Sequence, residues 1–270
     1  MDANDTAETD DIQLDTPKAF FEGLALDLWN AVVPAELTAA EVEFLGEQFK
    51  GISGRQTPRL LDIACGSGRH AIGLAKQRFE VTGLDIATPE LERLTAQAKV
   101  AKVTVATVEQ DMRELGPLIA GDKKPFDGAY VFGNALGYLD PDELAAFLND
   151  LGGVVRIGGR VVLETAMVAE SFLQGFEDQV AIDGGDVKVV IDNDYDILGS
   201  RVIGTYTFEG GGKTVVKRFA HHIVSCRELF EAIEDAGFEL EKALGDTEGN
   251  PYEIGDPRLI VVARRASSED

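Results

Sequence analysis

Apolar positions along this 270-residue chain follow two rhythms, one helical and one of period two. Phe20, Phe21, Leu24, Leu28 and Trp29 follow Thr16-Pro17 at helical spacing, and Pro34 ends the run. This predicts a helix with Thr16 at its N-cap and proline in its first turn. Thr38-Ala39-Ala40-Glu41 has the form of a capping box and predicts a second helix with Val42, Leu45 and Phe49 on one face. From Arg59 onward the two rhythms alternate. Leu60–Ala64, Phe79–Asp85, Val103–Val108, Phe126–Phe132 and Arg160–Glu164 read as strands. Helical patterns at Arg69–Gln77 and from Thr88 to about Val100 lie between them. A further helix, capped by Asp140-Pro141-Asp142-Glu143, carries Leu144, Phe147, Leu148, Leu151 and Val155 on one side. Gly158-Gly159 reads as the turn that follows it. Such alternation predicts a parallel sheet covered by helices on both faces.

The pattern then changes. Val187–Tyr195, Val202–Phe208 and Lys213–Val224 are three period-two runs separated by Gly199-Ser200 and Gly210-Gly211-Gly212, which predicts an antiparallel meander. Ser225-Cys226-Arg227-Glu228 is a capping box whose helix, with Leu229, Phe230 and Ile233, stops at Gly237. Phe238–Leu244 and Leu259–Ala263 supply two last strands. The fold class expected is α/β, a seven-stranded Rossmann-like sheet with helices on both faces and an inserted β meander. The expected organisation is an acidic disordered tail over 1–15, one domain over 16–270, and residues 168–225 as an inserted lid.

Charge narrows the partners. The chain has 48 acidic and 25 basic residues, a formal charge of −23. Such a field repels nucleic acid and anionic membranes. No run approaches the roughly 20 apolar residues of a membrane span, and the acidic N-terminus lacks the apolar core of a signal peptide. A cytoplasmic protein is expected. Cys65 and Cys226 are the only cysteines. Neither has a close partner, so neither a disulfide framework nor a metal site is expected. The sequence carries no signal for oligomeric state.

The candidate chemistry is at Leu60-Leu61-Asp62-Ile63-Ala64-Cys65-Gly66-Ser67-Gly68-Arg69-His70-Ala71, a strand, a glycine turn and a helix start. This arrangement cradles a ligand at the carboxyl edge of a sheet. Gly66 to Ala71 satisfies the dinucleotide pattern, and Asp85 ends the next strand where an acid for ribose hydroxyls is wanted. Asp62, inside the strand end, argues against a pyrophosphate and for a nucleoside joined to a cationic group, because like charges near a low-dielectric turn repel.

These residues resemble motif I of the class I S-adenosylmethionine-dependent methyltransferases, small-molecule bacterial type, with Ala64 where the family pattern has its first glycine. Val81 through Ile86 is similar to the next motif, Glu109 through Arg113 to the one after. Phe126-Asp127 through Asn134 to Tyr138 is similar to the fourth-strand motif, and Ile157 through Arg160 to the turn before strand five. Gly249-Asn250-Pro251-Tyr252 and Asp256-Pro257-Arg258-Leu259 resemble the end of a small-molecule subgroup. The resemblance implies S-adenosyl-L-methionine as cofactor. Asp62, Ala64, Cys65, Gly66, Ser67 and Gly68 would form the cradle, Asp85 and Ile86 would meet the ribose, Asp111 and Met112 the adenine, and Gly133 and Asn134 would border the methyl group. Arg69 and His70 are either solvated or turned to the methionine carboxylate. Trp29 is either a core residue or a lid contact.

Methyl transfer is an in-line displacement in which the cofactor carries the hard chemistry and the protein mainly aligns the reactants. Tyr138, after the fourth strand, and His221 and His222, in the last inserted strand, are the candidate catalytic residues, with Glu164 at the end of strand five. Adjacent strand residues point to opposite faces, so at most one of the two histidines faces the site, and the pattern does not choose. Packing roles are weighed above catalytic ones for both. The inserted strands are expected to roof a small acceptor, cationic or neutral, methylated on N or O. An NAD(P)-dependent oxidoreductase and a non-catalytic S-adenosylmethionine-binding protein are the alternative readings.

Overall fold

The computed structural model describes residues 13–52, 54, 56–116, 118 and 124–267. Residues 1–12 of the expected tail lie outside it. Asp15, placed in the expected tail, is tied down: its N–H donates to the Arg218 carbonyl (2.9 Å) and its carboxylate accepts from the Arg218 N–H (2.7 Å).

Thr16 caps the first helix as expected, with its Oγ1 accepting from Ala19 N. That helix, α1 (Pro17–Phe20), is one turn long, and the chain breaks at Gly23 (φ +61°) before α2 (Leu24–Val32). The two segments had been expected as one helix. α3 (Ala35–Phe49) begins straight after Pro34. The expected capping box at Thr38 is therefore absent. Thr38 sits inside the helix, and Glu41 is buried and serves a different purpose, described below.

The strands β1 (Arg59–Ile63), β2 (Glu80–Asp85), β3 (Val105–Glu109), β4 (Phe126–Val131) and β5 (Val155–Thr165) pair in parallel. Helices α4 (Arg69–Lys76), α5 (Thr88–Ala101) and α6 (Pro141–Val154) fall between them. The Asp140 capping box is present in full. After a second sheet of four strands, β6 (Gln179–Asp183), β7 (Val187–Asp196), β8 (Arg201–Gly210) and β9 (Lys213–His222), labelled the lid sheet after the expectation above, come α7 (Cys226–Asp235), β10 (Phe238–Leu244) and β11 (Leu259–Arg265). The Ser225 capping box of α7 is also present, and Gly237 follows with φ +81°.

The main sheet has the order β10-β11-β5-β4-β1-β2-β3, with β11 antiparallel to both neighbours. Leu45, Phe49, Leu74 and Leu94 from α3, α4 and α5 cover one face, and Phe147, Leu148, Leu151, Leu229 and Ile233 from α6 and α7 cover the other. The lid sheet pairs in the order β6-β7-β8-β9 and is antiparallel throughout. It packs on α1 and α2 through Phe20, Ala25, Leu28, Val189, Ile191, Tyr206, Phe208 and Phe219. Its first strand, five residues long and flanked by Glu177-Asp178, was not expected from the pattern.

Chain order reverses between β1 and β4, because β2 and β3 extend the sheet one way and β4 and β5 the other. In open α/β sheets ligands bind at such a switch point, beyond the carboxyl ends of the strands.

Candidate active site

A cavity of about 840 Å³ opens at that switch point, between the main sheet and the lid sheet. Its floor is the loop between β1 and α4. Ala64, Gly66 and Gly68 take positive φ values of +55°, +51° and +78°, so every second residue is left-handed. The loop is fixed by Cys65 N donating to Leu84 O (3.0 Å) and Gly68 N to Cys65 O (2.9 Å). Ala64, Cys65, Gly66 and Ser67 line the cavity. Gly68 does not. A Cβ there would come within 2.4 Å of Leu94 Cγ, so its role is to let α4 pack against α5. Cys65 is buried over Gly83, and burial pushes its thiol above the usual range.

Asp62, expected in the cradle, lies off the cavity wall. It belongs to the layer of Leu60 and Tyr130 beneath the loop, is 2% exposed, and is paired in register with Tyr130. Its Oδ2 and the Tyr130 hydroxyl are neighbours without good hydrogen-bond geometry. Desolvation raises its carboxyl to about 7.

The cavity carboxylates are Asp85, Glu90 and Asp111. Asp85 Oδ2 accepts from Gly66 N (2.7 Å) and Oδ1 from Ala87 N (2.8 Å). A carboxylate has about four lone-pair sites, so each oxygen retains acceptor capacity for a pair of vicinal hydroxyls. Burial raises its carboxyl above the usual range. Ile86 and Met112 supply apolar walls beside it. Asp111 is gripped by Arg113 through Nε (3.0 Å) and Nη2 (2.6 Å), and Arg113 also reaches Glu143 (3.2 Å).

Glu90 was not singled out from sequence, where it reads as an ordinary acid in the first turn of α5. It is 4% exposed, and both its oxygens accept from Asn30 Nδ2 at 3.1 Å. Asn30 Oδ1 in turn accepts from the Ser67 hydroxyl (2.7 Å). A single polar residue on α2 thus latches the N-terminal helices to the glycine loop. Trp29, beside it, lies on the cavity wall.

Arg69 and His70 both line the cavity, and neither is simply solvated. Glu41, 1% exposed, accepts from Arg69, His70 Nε2 (2.9 Å) and Arg258. Although burial opposes ionisation, these partners hold the Glu41 carboxyl down at about 2. Burial is the main reason His70 falls to about 4.

Gly133 and Asn134 also line the cavity, in a turn with φ values of +87° and +65°. Glu164 Oε2 accepts from both backbone N–H groups (2.8 and 3.0 Å), and Asn134 Oδ1 accepts from Ala166 N (2.9 Å). Glu164 therefore fixes the turn and does not line the cavity.

The lid answers the question of the two histidines. His221 lines the cavity with Tyr138, the ring centroids 5.2 Å apart. His222 faces away, toward Asp140, Arg201 and Glu143, and does not line the cavity. Burial lowers His221 to about 4, so it is neutral near pH 7. Ile191 and Tyr206 of the lid, and Phe20 and Phe21 of the N-terminal segment, complete this end. The last four had no signal in the pattern beyond apolar spacing. Among the described residues, no group of acids, histidines and cysteines is arranged to hold a metal.

The chain is similar to known methyltransferases. Residues 60–159 match the family model of the methyltransferase domain. A putative methyltransferase of Geobacillus sp. (strain WCH70) is 33% identical over 96 residues, 36% of this chain and 37% of that protein. The match spans about a third of the length of that relative and of a Bacillus subtilis one (31%). A dTDP-3-amino-3,4,6-trideoxy-alpha-D-glucopyranose N,N-dimethyltransferase of Streptomyces venezuelae is 28% identical over 207 residues, 73% of this chain and 82% of that protein. The fold matches a crystal structure of an S-adenosylmethionine-dependent methyltransferase from Clostridium acetobutylicum. The TM-score is 0.75 at 13% identity, covering 89% of this chain and 96% of the other. The oxidoreductase and non-catalytic readings are not favoured by these matches.

Proposed function

We propose, on the premise that this chain carries the methyltransferase domain of the class I S-adenosylmethionine-dependent family, that it methylates an N or O atom of a small molecule. The observation that carries this reading is the single cavity walled by Asp85, Asp111 and the glycine loop at one end and by the lid sheet at the other. The residues fit the cofactor. Asp85 keeps free lone pairs for ribose hydroxyls, Ile86 and Met112 offer flat apolar walls to an adenine, and Asp111 stands at the next strand end as its polar partner. Arg69 is the cation placed to meet the methionine carboxylate. When bound, S-adenosylmethionine supplies an electrophilic methyl group on a sulfonium.

What this chain's residues contribute is alignment and exclusion of water. The Glu164-fixed turn at Gly133-Asn134 sets the wall next to Tyr138. Tyr138 and His221 then present a hydroxyl and a neutral imidazole to the acceptor, and a well-held near-attack geometry accounts for roughly 7–11 kcal/mol of a barrier in favourable cases. The similarity to a sugar N,N-dimethyltransferase supports a small acceptor. The acidic charge and unpaired thiols support a cytoplasmic setting without nucleic-acid partners. No helix among the described residues is long and apolar enough to cross a membrane.

Calorimetric titration with S-adenosylhomocysteine tests the site. Binding is expected, with Asp85→Asn weakening it roughly tenfold or more through loss of charge-assisted hydrogen bonds. Labelled methyl transfer to a metabolite fraction tests the activity. Transfer to tRNA or rRNA with none to metabolites would overturn it.

A further inference from the structure

Resting on the methyltransferase reading, we infer that the acceptor is an uncharged, ring-bearing hydroxyl compound, and not a nucleotide diphosphate sugar or an alkyl-ammonium amine. The cavity has two chemically different ends. Its charged walls all belong to the cofactor end: Asp85, Glu90 and Asp111 with Arg69, Arg93 and Arg113. Each of these arginines is held by a carboxylate, and Arg69 is in addition the one assigned to the methionine carboxylate. Arg69 is paired with Glu41, Arg93 with Asp27 and Glu90, and Arg113 with Asp111 and Glu143.

The lid end is walled by Phe20, Phe21, Tyr138, Ile191, Tyr206 and His221. Among the described residues, no lysine, arginine, aspartate or glutamate lines it. The nearest lid cations are turned elsewhere. Lys217 Nζ donates to the carbonyls of Ala19, Phe20 and Glu22 at 2.6, 2.8 and 2.9 Å. Arg218 alternates with the inward residues Phe219 and His221 and so lies on the other face of the lid.

A diphosphate placed here would lose its water and meet no cation, and a buried charge without a partner is strongly disfavoured. An alkyl-ammonium would meet no carboxylate. The rings around it pack edge to face: Phe20 meets Tyr206 at 75°, Phe21 meets Tyr138 at 61°, and Tyr138 meets Phe219 at 82°. What remains is an apolar slot with three polar points, the Tyr138 and Tyr206 hydroxyls and the His221 ring. That combination suits a flat neutral ring with hydroxyl groups. In the transfer, the hydroxyl oxygen forms the new O–CH3 bond as the S–CH3 bond breaks. The broken bond's electron pair stays on sulfur, and the hydroxyl proton passes to the neutral His221 imidazole.

The test uses the full chain and first measures S-adenosylhomocysteine binding by calorimetry. The loaded protein is then titrated with three probes under ligand-observed NMR: 2-naphthol, dTDP-glucose and phenethylamine. Naphthol is expected to bind at least about tenfold more tightly than either other probe, a gap of roughly 1.4 kcal/mol. Ile191→Arg, which places a cation among the rings, is expected to weaken naphthol and admit the diphosphate. Equal or tighter binding of dTDP-glucose or phenethylamine, or no binding of naphthol, overturns the acceptor class while leaving the cofactor site standing. Failure to bind S-adenosylhomocysteine overturns both.

Discussion

Gly68→Ala isolates the geometry that makes the glycine loop possible. Two costs add at this position. The backbone is left-handed (φ +78°), which costs a residue with a Cβ roughly 1–2 kcal/mol. The new methyl would also stand 2.4 Å from Leu94 Cγ and 2.6 Å from Leu94 Cδ1, and overpacking of a filled core costs about 1–3 kcal/mol. The sum is about 2–5 kcal/mol, and each kcal/mol lowers the melting temperature of a chain of this size by about 2–4 °C. Gly66→Ala is the control. Its φ is +51°, but the nearest atom to the added Cβ is Glu90 Oε2 at an ordinary 3.6 Å. It carries only the backbone cost, roughly 1–2 kcal/mol. The assay is denaturant unfolding of wild type, G66A, G68A, L94A and G68A/L94A. Leu94→Ala is costly alone, about 2–5 kcal/mol. It also removes the clash, so the double variant should be more stable than additivity allows by about 1–3 kcal/mol. If G68A costs no more than G66A, or the double variant is strictly additive, Gly68 is not there to admit Leu94 and the reasoning fails.

Three further outcomes are expected. Glu164→Ala leaves the Gly133 and Asn134 N–H groups unpaired and should cost about 2–4 kcal/mol in unfolding experiments, whereas Glu164→Gln, which keeps an acceptor oxygen, should cost clearly less. Lys217→Met frees the carbonyls of Ala19, Phe20 and Glu22 and should destabilise by about 1–3 kcal/mol, with earlier proteolytic cleavage in the first 30 residues as the second readout. His221 is lowered from 6.5 to about 4. The unfolded chain therefore binds the extra proton first, and stability contributed by the neutral ring is fully present above pH 6.5 and lost as pH falls toward 4. The stability difference between wild type and His221→Gln should shrink over that window by up to about 3 kcal/mol, and a pH-independent difference would contradict the buried neutral ring.

The scaffold was readable because its signals are local. Asp140 and Ser225 each announce a helix within four residues, and both capping boxes form. Thr38 carries the same local signature and is misleading, because Pro34 starts the helix one turn earlier and Glu41 is claimed by Arg258, 217 residues away. The glycine-loop end of the cavity was largely legible for the same reason. Its residues sit at strand ends and in one loop. Asp62 and Gly68 belong to that stretch yet lie off the cavity wall, Asp62 in the layer of Leu60 and Tyr130 and Gly68 against Leu94, neighbours the local sequence does not display. The lid end was the least legible. His221 and His222 differ only in parity, and the choice is made by Tyr138 and Phe219 packing on one side of the sheet. Asn30 and Glu90 are 60 residues apart and acquire meaning only through each other and Ser67.

The anchorage of the N-terminus also has a consequence in time. Asp15 is held by a partner 203 residues further on, and the carbonyls at the end of α1 by an ammonium 195 to 198 residues further on. Contacts of such sequence separation form late, because the long loop they close must be ordered first. On the ribosome α1 and α2 therefore lack their docking surface until β9 has been synthesised, and the cavity gains that wall only after the long intervening loop is ordered.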